Sequence, residues 1–207
     1  MRGLVKVILT ASLILGLTSF ALGQRQGPGL FKGPGRLIAD PGVQKELKLT
    51  QLQLGKLRVA LAKVRQEHRD DFAKLRDASL VERIQIMRVV SEDARKAIGG
   101  ILNAKQMKRF KQILWQESGF RALQDPEVQK ELKITADQRG KFREIAQDTL
   151  KQLQESFQGG NAQGAQERLE KIRKDAQAKA EAVLTDEQKK TLKEMKGEPF
   201  ELQRPGR

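Results

Sequence analysis

Apolar residues recur along the chain at the three- and four-residue spacing of amphipathic helices. The longest series is Leu54, Leu57, Leu61, Val64, His68, Phe72 and Leu75. A second series follows at Phe142, Ile145, Thr149, Leu153 and Phe157. Each series predicts a long helix that buries one face, and no alternating run is long enough for a strand. The pattern therefore predicts an all-α protein.

The second half of the chain repeats the first. Residues 40–58 read DPGVQKELKLTQLQLGKLR and residues 125–143 read DPEVQKELKITADQRGKFR, which are identical at 13 of 19 positions at a constant offset of 85. ILNAKQMKRF (101–110) corresponds in the same way to VLTDEQKKTL (183–192), at an offset of 82. Repetition at this length indicates one supersecondary unit that is present twice.

The duplication divides the chain into regions. We expect two tandem helical-hairpin units with short capping helices, at residues 36–120 and 121–200. The Gly/Pro-rich residues 24–35 and the tail 201–207 have compositions typical of disordered segments. Asp-Pro pairs open both units, where Asp caps a helix and Pro occupies its first turn.

Residues 1–23 have the pattern of a secretory signal peptide. Arg2 and Lys6 precede an uncharged run that begins at Val7, and small residues lead to a cleavage site near Gly23. The alternative is an uncleaved membrane anchor, for which an uncharged run of 17 residues is marginal. We therefore expect a periplasmic or secreted protein.

One short motif occurs four times, at LTQLQ (49–53), LNAKQ (102–106), ITADQ (134–138) and LTDEQ (184–188). Thr or Asn followed by Gln three positions later is a capping box, in which two side chains bond the free amides of a helix start. The eight predicted capping residues are Thr50, Gln53, Asn103, Gln106, Thr135, Gln138, Thr185 and Gln188. The motif thus predicts four helix N-termini and requires no further chemistry.

The composition argues against an enzyme. The chain has no Cys and one His, which removes thiolate sites, cysteine nucleophiles and multi-histidine metal sites. No phosphate-binding glycine loop and no nucleophile elbow is present. We expect no cofactor and no metal, and we interpret His68 as a histidine at the core edge and Trp115 as a core residue.

The net charge is +14, or +12 once the leader and its two positive residues are removed. On a wheel of residues 50–76, four arginines fall within roughly 40° of one another beside the apolar face. They are Arg58, Arg65, Arg69 and Arg76, and they are candidates for binding protein clients or anions. The alternative interpretation is that their stems cover core edges and their charges pair across helices.

A signal peptide, helical units and repeated LTxxQ motifs together resemble the LTXXQ-motif (Spy/CpxP-like) family of periplasmic stress proteins and chaperones. The resemblance implies ATP-independent binding of unfolded proteins on a basic, partly apolar helical surface formed by a dimer of hairpins. This chain carries four motifs where a family member usually carries two, so the alternatives are a homodimer, an intramolecular pseudo-dimer or two separate units. The sequence leaves open whether the two repeats pack together. The chain lacks His-rich segments, and a zinc function is not carried over.

The expected function is that of an exported holdase or envelope-stress protein, with unfolded or partly folded proteins as partners. The alternative is a structural or adaptor protein that binds one folded partner or an anionic envelope component. Nucleic acid is not an expected partner, because export removes the protein from it and no aromatic nucleic-acid motif is present.

Overall fold

The computed structural model describes residues 33–158 and 164–202, and in these ranges it is helical with no strand. The α-helices are α1 (Pro34–Ile38), α2 (Pro41–Glu46), α3 (Gln51–Glu67), α4 (Arg69–Lys74), α5 (Leu80–Gly99), α6 (Ala104–Ser118), α7 (Pro126–Glu131), α8 (Ala136–Gln158), α9 (Ala165–Val183) and α10 (Asp186–Lys196). A 3-10 helix, Gly119–Gln124, lies between α6 and α7. The predicted all-α class is confirmed. The predicted leader and residues 24–32 lie outside the described residues.

The helices begin where the sequence supplies capping groups. Asp40 Oδ1 accepts the Gly42 and Val43 amides at 2.8 and 3.2 Å, and Pro41 is the first residue of α2. Asp125 caps α7 through one such bond, accepting the Glu127 amide at 2.9 Å. Ser79 and Glu82 form a capping box at the start of α5. Side-chain caps of this kind satisfy amides that have no partner within the helix.

Two pairs of long helices contact each other, α3 with α5 and α8 with α9. The first core contains the buried residues Leu37, Ile38, Val43, Leu47, Leu57, Ile98, Leu102, Phe110, Ile113 and Leu114. The second core contains Trp115, Ala122, Leu123, Val128, Leu132, Ile134, Phe142, Ile145, Ala176, Ala180, Leu184 and Leu192. Helix α6 contributes to both, and the expectation that Trp115 is a core residue is confirmed.

The end of the chain returns to the first core. Phe200 and Leu202 pack against that core, and α10 contacts α6. The Phe200 amide donates to Gln116 Oε1 at 2.8 Å, and Gln116 Nε2 donates to the Glu198 carbonyl at 2.9 Å. Arg109 also donates to the Glu198 carbonyl, at 2.8 Å. The two halves of the chain therefore pack together, a question that the sequence left open.

Three sequence expectations need correction. Residues 33–35 do not belong to the Gly/Pro-rich arm, because Gly33 precedes α1 and Pro34 is its buried first residue. Leu202 does not belong to a disordered tail, because it packs against the first core. The apolar series from Leu54 to Leu75 is not one helix: α3 ends at Glu67 and α4 begins at Arg69, with His68 outside helical geometry between them.

Four residues with positive φ lie at corresponding positions of the two halves. Lys48 and Lys133 both have φ near 50°, directly after α2 and α7. Gly119 and Gly197 have φ of 58° and 62° at the ends of α6 and α10. A left-handed residue lets the chain leave a helix and still bond the last carbonyls. Lysine adopts this conformation less readily than glycine.

Candidate functional site

Each of the four predicted capping motifs begins a helix. At α3, the Gln53 amide donates to Thr50 Oγ1 and the Thr50 amide donates to Gln53 Oε1, both at 3.2 Å. The same reciprocal bonds join Asn103 with Gln106, Thr135 with Gln138, and Thr185 with Gln188. The capping-box prediction is therefore confirmed at all four sites.

The glutamines of these boxes also bond each other across helices. Gln53 Nε2 donates to Gln106 Oε1 at 2.7 Å, and Gln106 Nε2 donates back to Gln53 Oε1 at 3.1 Å. Their remaining N–H groups donate to the carbonyls of Ile101 and Leu47, at 3.2 and 3.1 Å. Each amide thus uses both of its donors and accepts twice at its oxygen.

The second half of the chain repeats this arrangement. Gln138 Nε2 donates to Gln188 Oε1 at 2.7 Å, and Gln188 Nε2 donates back to Gln138 Oε1 at 3.0 Å. Gln138 also donates to the Val183 carbonyl and Gln188 to the Leu132 carbonyl, both at 3.0 Å. Gln138 is the only buried polar residue among those the structure describes, at 8% exposure. The motif therefore joins helices as well as capping them, and it has a complete structural role.

Sequence reasoning missed the amide pairs. A capping box explains one Gln by itself and gives no reason for two per unit. The signal that could have found the pairs was present: each copy contains two motifs, at 49–53 with 102–106 and at 134–138 with 184–188. A Gln side chain on each start can then reach the other.

The four candidate arginines are all exposed, and among the described residues none of them forms an ion pair. Arg58 and Arg65 lie in α3, whereas Arg69 opens α4 and Arg76 follows it. Because the helix breaks at His68, the wheel that aligned all four applies only to Arg58 and Arg65.

A second apolar strip lies on α3, opposite its buried face. Leu52 and Val59 are 69% and 72% exposed, and Gly55 and Ala62 are also exposed. At about 100° per residue, these four positions share one side, roughly half a turn from buried Leu57. We call Leu52, Gly55, Val59 and Ala62 the outer strip. Sequence reasoning missed it because the wheel was centred on the buried residues.

Positive side chains flank the outer strip on both sides. On the same wheel, Lys56 and Lys63 lie along one border, and Arg58 and Arg65 lie along the other. All four are exposed, and the only acidic residue of α3 is Glu67 at its end. We call these four residues the basic rails. Lys63 and Glu67 approach at 3.8 Å with both side chains mostly exposed, a pair that screens little of this charge.

The outer strip is not repeated in the second half of the chain. The residues of α8 that correspond to Leu52 and Val59, at the offset of 85, are Asp137 and Glu144. Both are exposed. The two halves thus share their capping positions, while at these two positions α3 presents apolar residues to solvent and α8 presents carboxylates.

His68 lies at the break between α3 and α4, and its side chain is only 12% exposed. Its Nδ1 lies 3.1 Å from Asp71 Oδ2, and its Nε2 lies 3.0 Å from Asp93 Oδ2 on α5. The hydrogen bond with Asp71 raises the pKa of His68 most, and the bond with Asp93 raises it further. The same two bonds lower the pKa of the Asp71 and Asp93 carboxyls. The site favours a charged imidazolium whose two N–H groups tie α4 to α5.

Within residues 33–158 and 164–202, no group of three His, Cys, Asp or Glu side chains is arranged to hold a metal ion. The helices of these ranges include none that is long and apolar enough to cross a membrane. Comparison with protein-family models, curated proteins and solved structures finds no match to the chain. The resemblance to the LTXXQ-motif family therefore remains a prediction from the motifs.

Proposed function

We propose that the protein is an exported, ATP-independent holdase that binds unfolded or partly folded proteins on the outer face of α3. The observation that carries the proposal is the pair of large apolar side chains, Leu52 and Val59, exposed between the basic rails. The predicted leader, residues 1–23, supports export, and the repeated LTxxQ motifs add the family resemblance.

The chemistry of this surface suits incompletely folded chains. Such chains expose apolar side chains that a native protein buries, and burying a Val or Leu is worth about 1.5–3 kcal/mol. Two such residues on an open helix face give weak, reversible binding, because association also has an entropic cost. The rails add long-range attraction for acidic segments, which raises the rate of encounter more than the final affinity.

The proposal is tested by light scattering. The chain from residue 24 onward is mixed with several unrelated aggregating proteins at low and high salt. We expect it to suppress aggregation of most of them at near-equimolar ratios, and less effectively at high salt because exposed charges are screened. No suppression of any client would refute the holdase proposal and favour an adaptor that binds one folded partner.

Two variants test the candidate arginines and the outer strip separately. Replacing Arg58, Arg65, Arg69 and Arg76 with Gln should slow client capture and leave the helical circular dichroism unchanged. Replacing Val59 with Glu gives α3 the residue type that α8 has at the corresponding position, Glu144. This exposed change should weaken suppression at both salt concentrations, whereas Glu144→Gln should not. Unchanged capture by the four-Gln variant would remove the arginines from the account.

A further inference from the structure

We infer that the segment bound on α3 is an acidic amphipathic helix, which pairs with the outer strip in coiled-coil register. The inference rests on the proposed function and specifies which segments of a client the surface selects. It depends on three features of α3: the spacing of the outer strip, the size of its side chains, and the placement of the basic rails.

The spacing of the outer strip is that of a heptad repeat. Leu52, Gly55, Val59 and Ala62 are separated by three, four and three residues, which are the a and d positions of a coiled coil. The side chains of an extended peptide repeat every two residues, so they do not match this spacing. A second helix matches it along about 15 Å, the length from Leu52 to Ala62 at 1.5 Å per residue.

The alternation of large and small residues also fits a helix. Leu52 and Val59 are large and exposed, whereas Gly55 between them and Ala62 after them are small and leave space above the helix. A Cβ placed on Gly55 would meet no atom within 4 Å, so the space above this residue is open. Apolar side chains of a partner helix can fill the low points while packing beside Leu52 and Val59, as knobs fill holes.

The basic rails occupy the positions that determine the partner specificity of a coiled coil. With Leu52 at a, Lys56 and Lys63 fall at e, and Arg58 and Arg65 fall at g. Charges at e and g face the partner's g and e positions, so all four select a helix with Glu or Asp there. Each arginine can bind a carboxylate through two parallel N–H donors of its guanidinium group.

The same charges disfavour the other occupants available to this surface. In a parallel pair of α3 helices Lys would face Arg, and in an antiparallel pair Lys would face Lys and Arg would face Arg; every contact is repulsive. Residues 24–32 of the chain itself carry Arg25 and Lys32 and no acidic residue. An acidic partner helix is the occupant that the charges favour.

Fluorescence anisotropy with labelled peptides of about three heptads tests the inference. The first peptide has Leu at a and d and Glu at e and g. The second has the same composition in an order without helical periodicity, and the third carries Lys in place of Glu. We expect the first to bind one per chain, gain helicity on binding, and bind at least about ten-fold more tightly than the second. The third should not bind.

The variants assign binding to the outer strip. Val59→Glu should weaken binding of the first peptide about ten-fold or more, and Glu144→Gln should leave it unchanged. Equal binding of the first and second peptides would overturn the inference, as would binding unaffected by Val59→Glu. Dimerisation of the protein that is lost in Val59→Glu would assign the strip to a second copy instead.

The outcomes separate this inference from the proposed function. Suppressed client aggregation that depends on Val59, with no preference for the periodic peptide, would overturn the helical partner and leave the holdase intact. Binding of the periodic peptide without any suppression would refute the holdase and support a helix-binding adaptor. Binding to anionic lipid vesicles that is sensitive to Val59→Glu, without peptide binding, would assign the strip to a membrane surface and overturn the inference.

Discussion

The paired glutamines predict a measurable coupling energy between two helix starts. Gln138 shares four side-chain hydrogen bonds: one from the Thr135 amide, one to the Val183 carbonyl, and two with Gln188. Replacing it with Met keeps the length of the side chain and removes all four. At about 1 kcal/mol for each neutral bond, and with some water reaching the half-buried partner, we expect a loss of roughly 2–4 kcal/mol.

A double-mutant cycle isolates the contribution of the pair. Gln138→Met, Gln188→Met and the double variant are unfolded in urea and followed by circular dichroism. When one glutamine has been replaced, replacing the other removes fewer hydrogen bonds. The double variant should therefore lose less unfolding free energy than the two single variants lose together. The difference should be about 0.5–3 kcal/mol, the range seen for contacting residues.

The chain supplies two matched controls. The corresponding pair, Gln53 and Gln106, should show coupling of the same sign but smaller size, because neither residue is as buried as Gln138. Thr135→Ala removes one capping bond without touching the pair, and should cost about 0.5–2 kcal/mol. Strictly additive losses for Gln138 and Gln188 would refute the amide pair as a cooperative unit.

Three further predictions concern other parts of the fold. Hydrogen bonds with two carboxylates raise the pKa of His68 above its ordinary 6.5. The protonated His68 therefore stabilises the folded protein fully below pH 6.5, and this contribution is lost as the pH rises through the raised pKa. Melting temperature should therefore fall with rising pH in this window, and His68→Gln should flatten the profile; an unchanged profile would contradict the bridge. Gly197→Ala should cost about 1–3 kcal/mol in urea unfolding, because its φ of 62° suits glycine and an added Cβ would lie 2.5 Å from the Gln112 amide. Lys133→Gly should raise stability by about 0.5–1 kcal/mol by relieving a left-handed lysine, and a lower urea midpoint would refute this.

Local chemistry made much of the fold predictable. Asp40 accepts from the amides two and three residues ahead, and Ser79 with Glu82 and Thr50 with Gln53 bond across three residues. The spacing alone therefore predicts these helix starts. Part of the core followed from the apolar periodicity: Leu57, Val64, Phe142 and Ile145 belong to the two predicted series and are buried.

The remaining features depend on contacts between distant segments. The return of Phe200 to the first core and the bonding of Gln53 to Gln106 join residues that no local pattern connects. The break at His68 was hidden for the same reason, because apolar spacing continues through it while Asp93 on another helix bonds its ring. The outer strip was missed because Leu52 and Val59 are apolar residues that the fold leaves uncovered.

The central claim is that clients bind the outer face of α3, and site-specific photo-crosslinking tests it most directly. A photoreactive phenylalanine is placed at Val59 in one protein and at Glu144 in another, two exposed positions related by the duplication. Each is illuminated with an unfolding client and analysed by gel. The account predicts crosslinks from position 59 and few or none from position 144. Equal crosslinking at both positions, or none at 59 while aggregation is still suppressed, would contradict it.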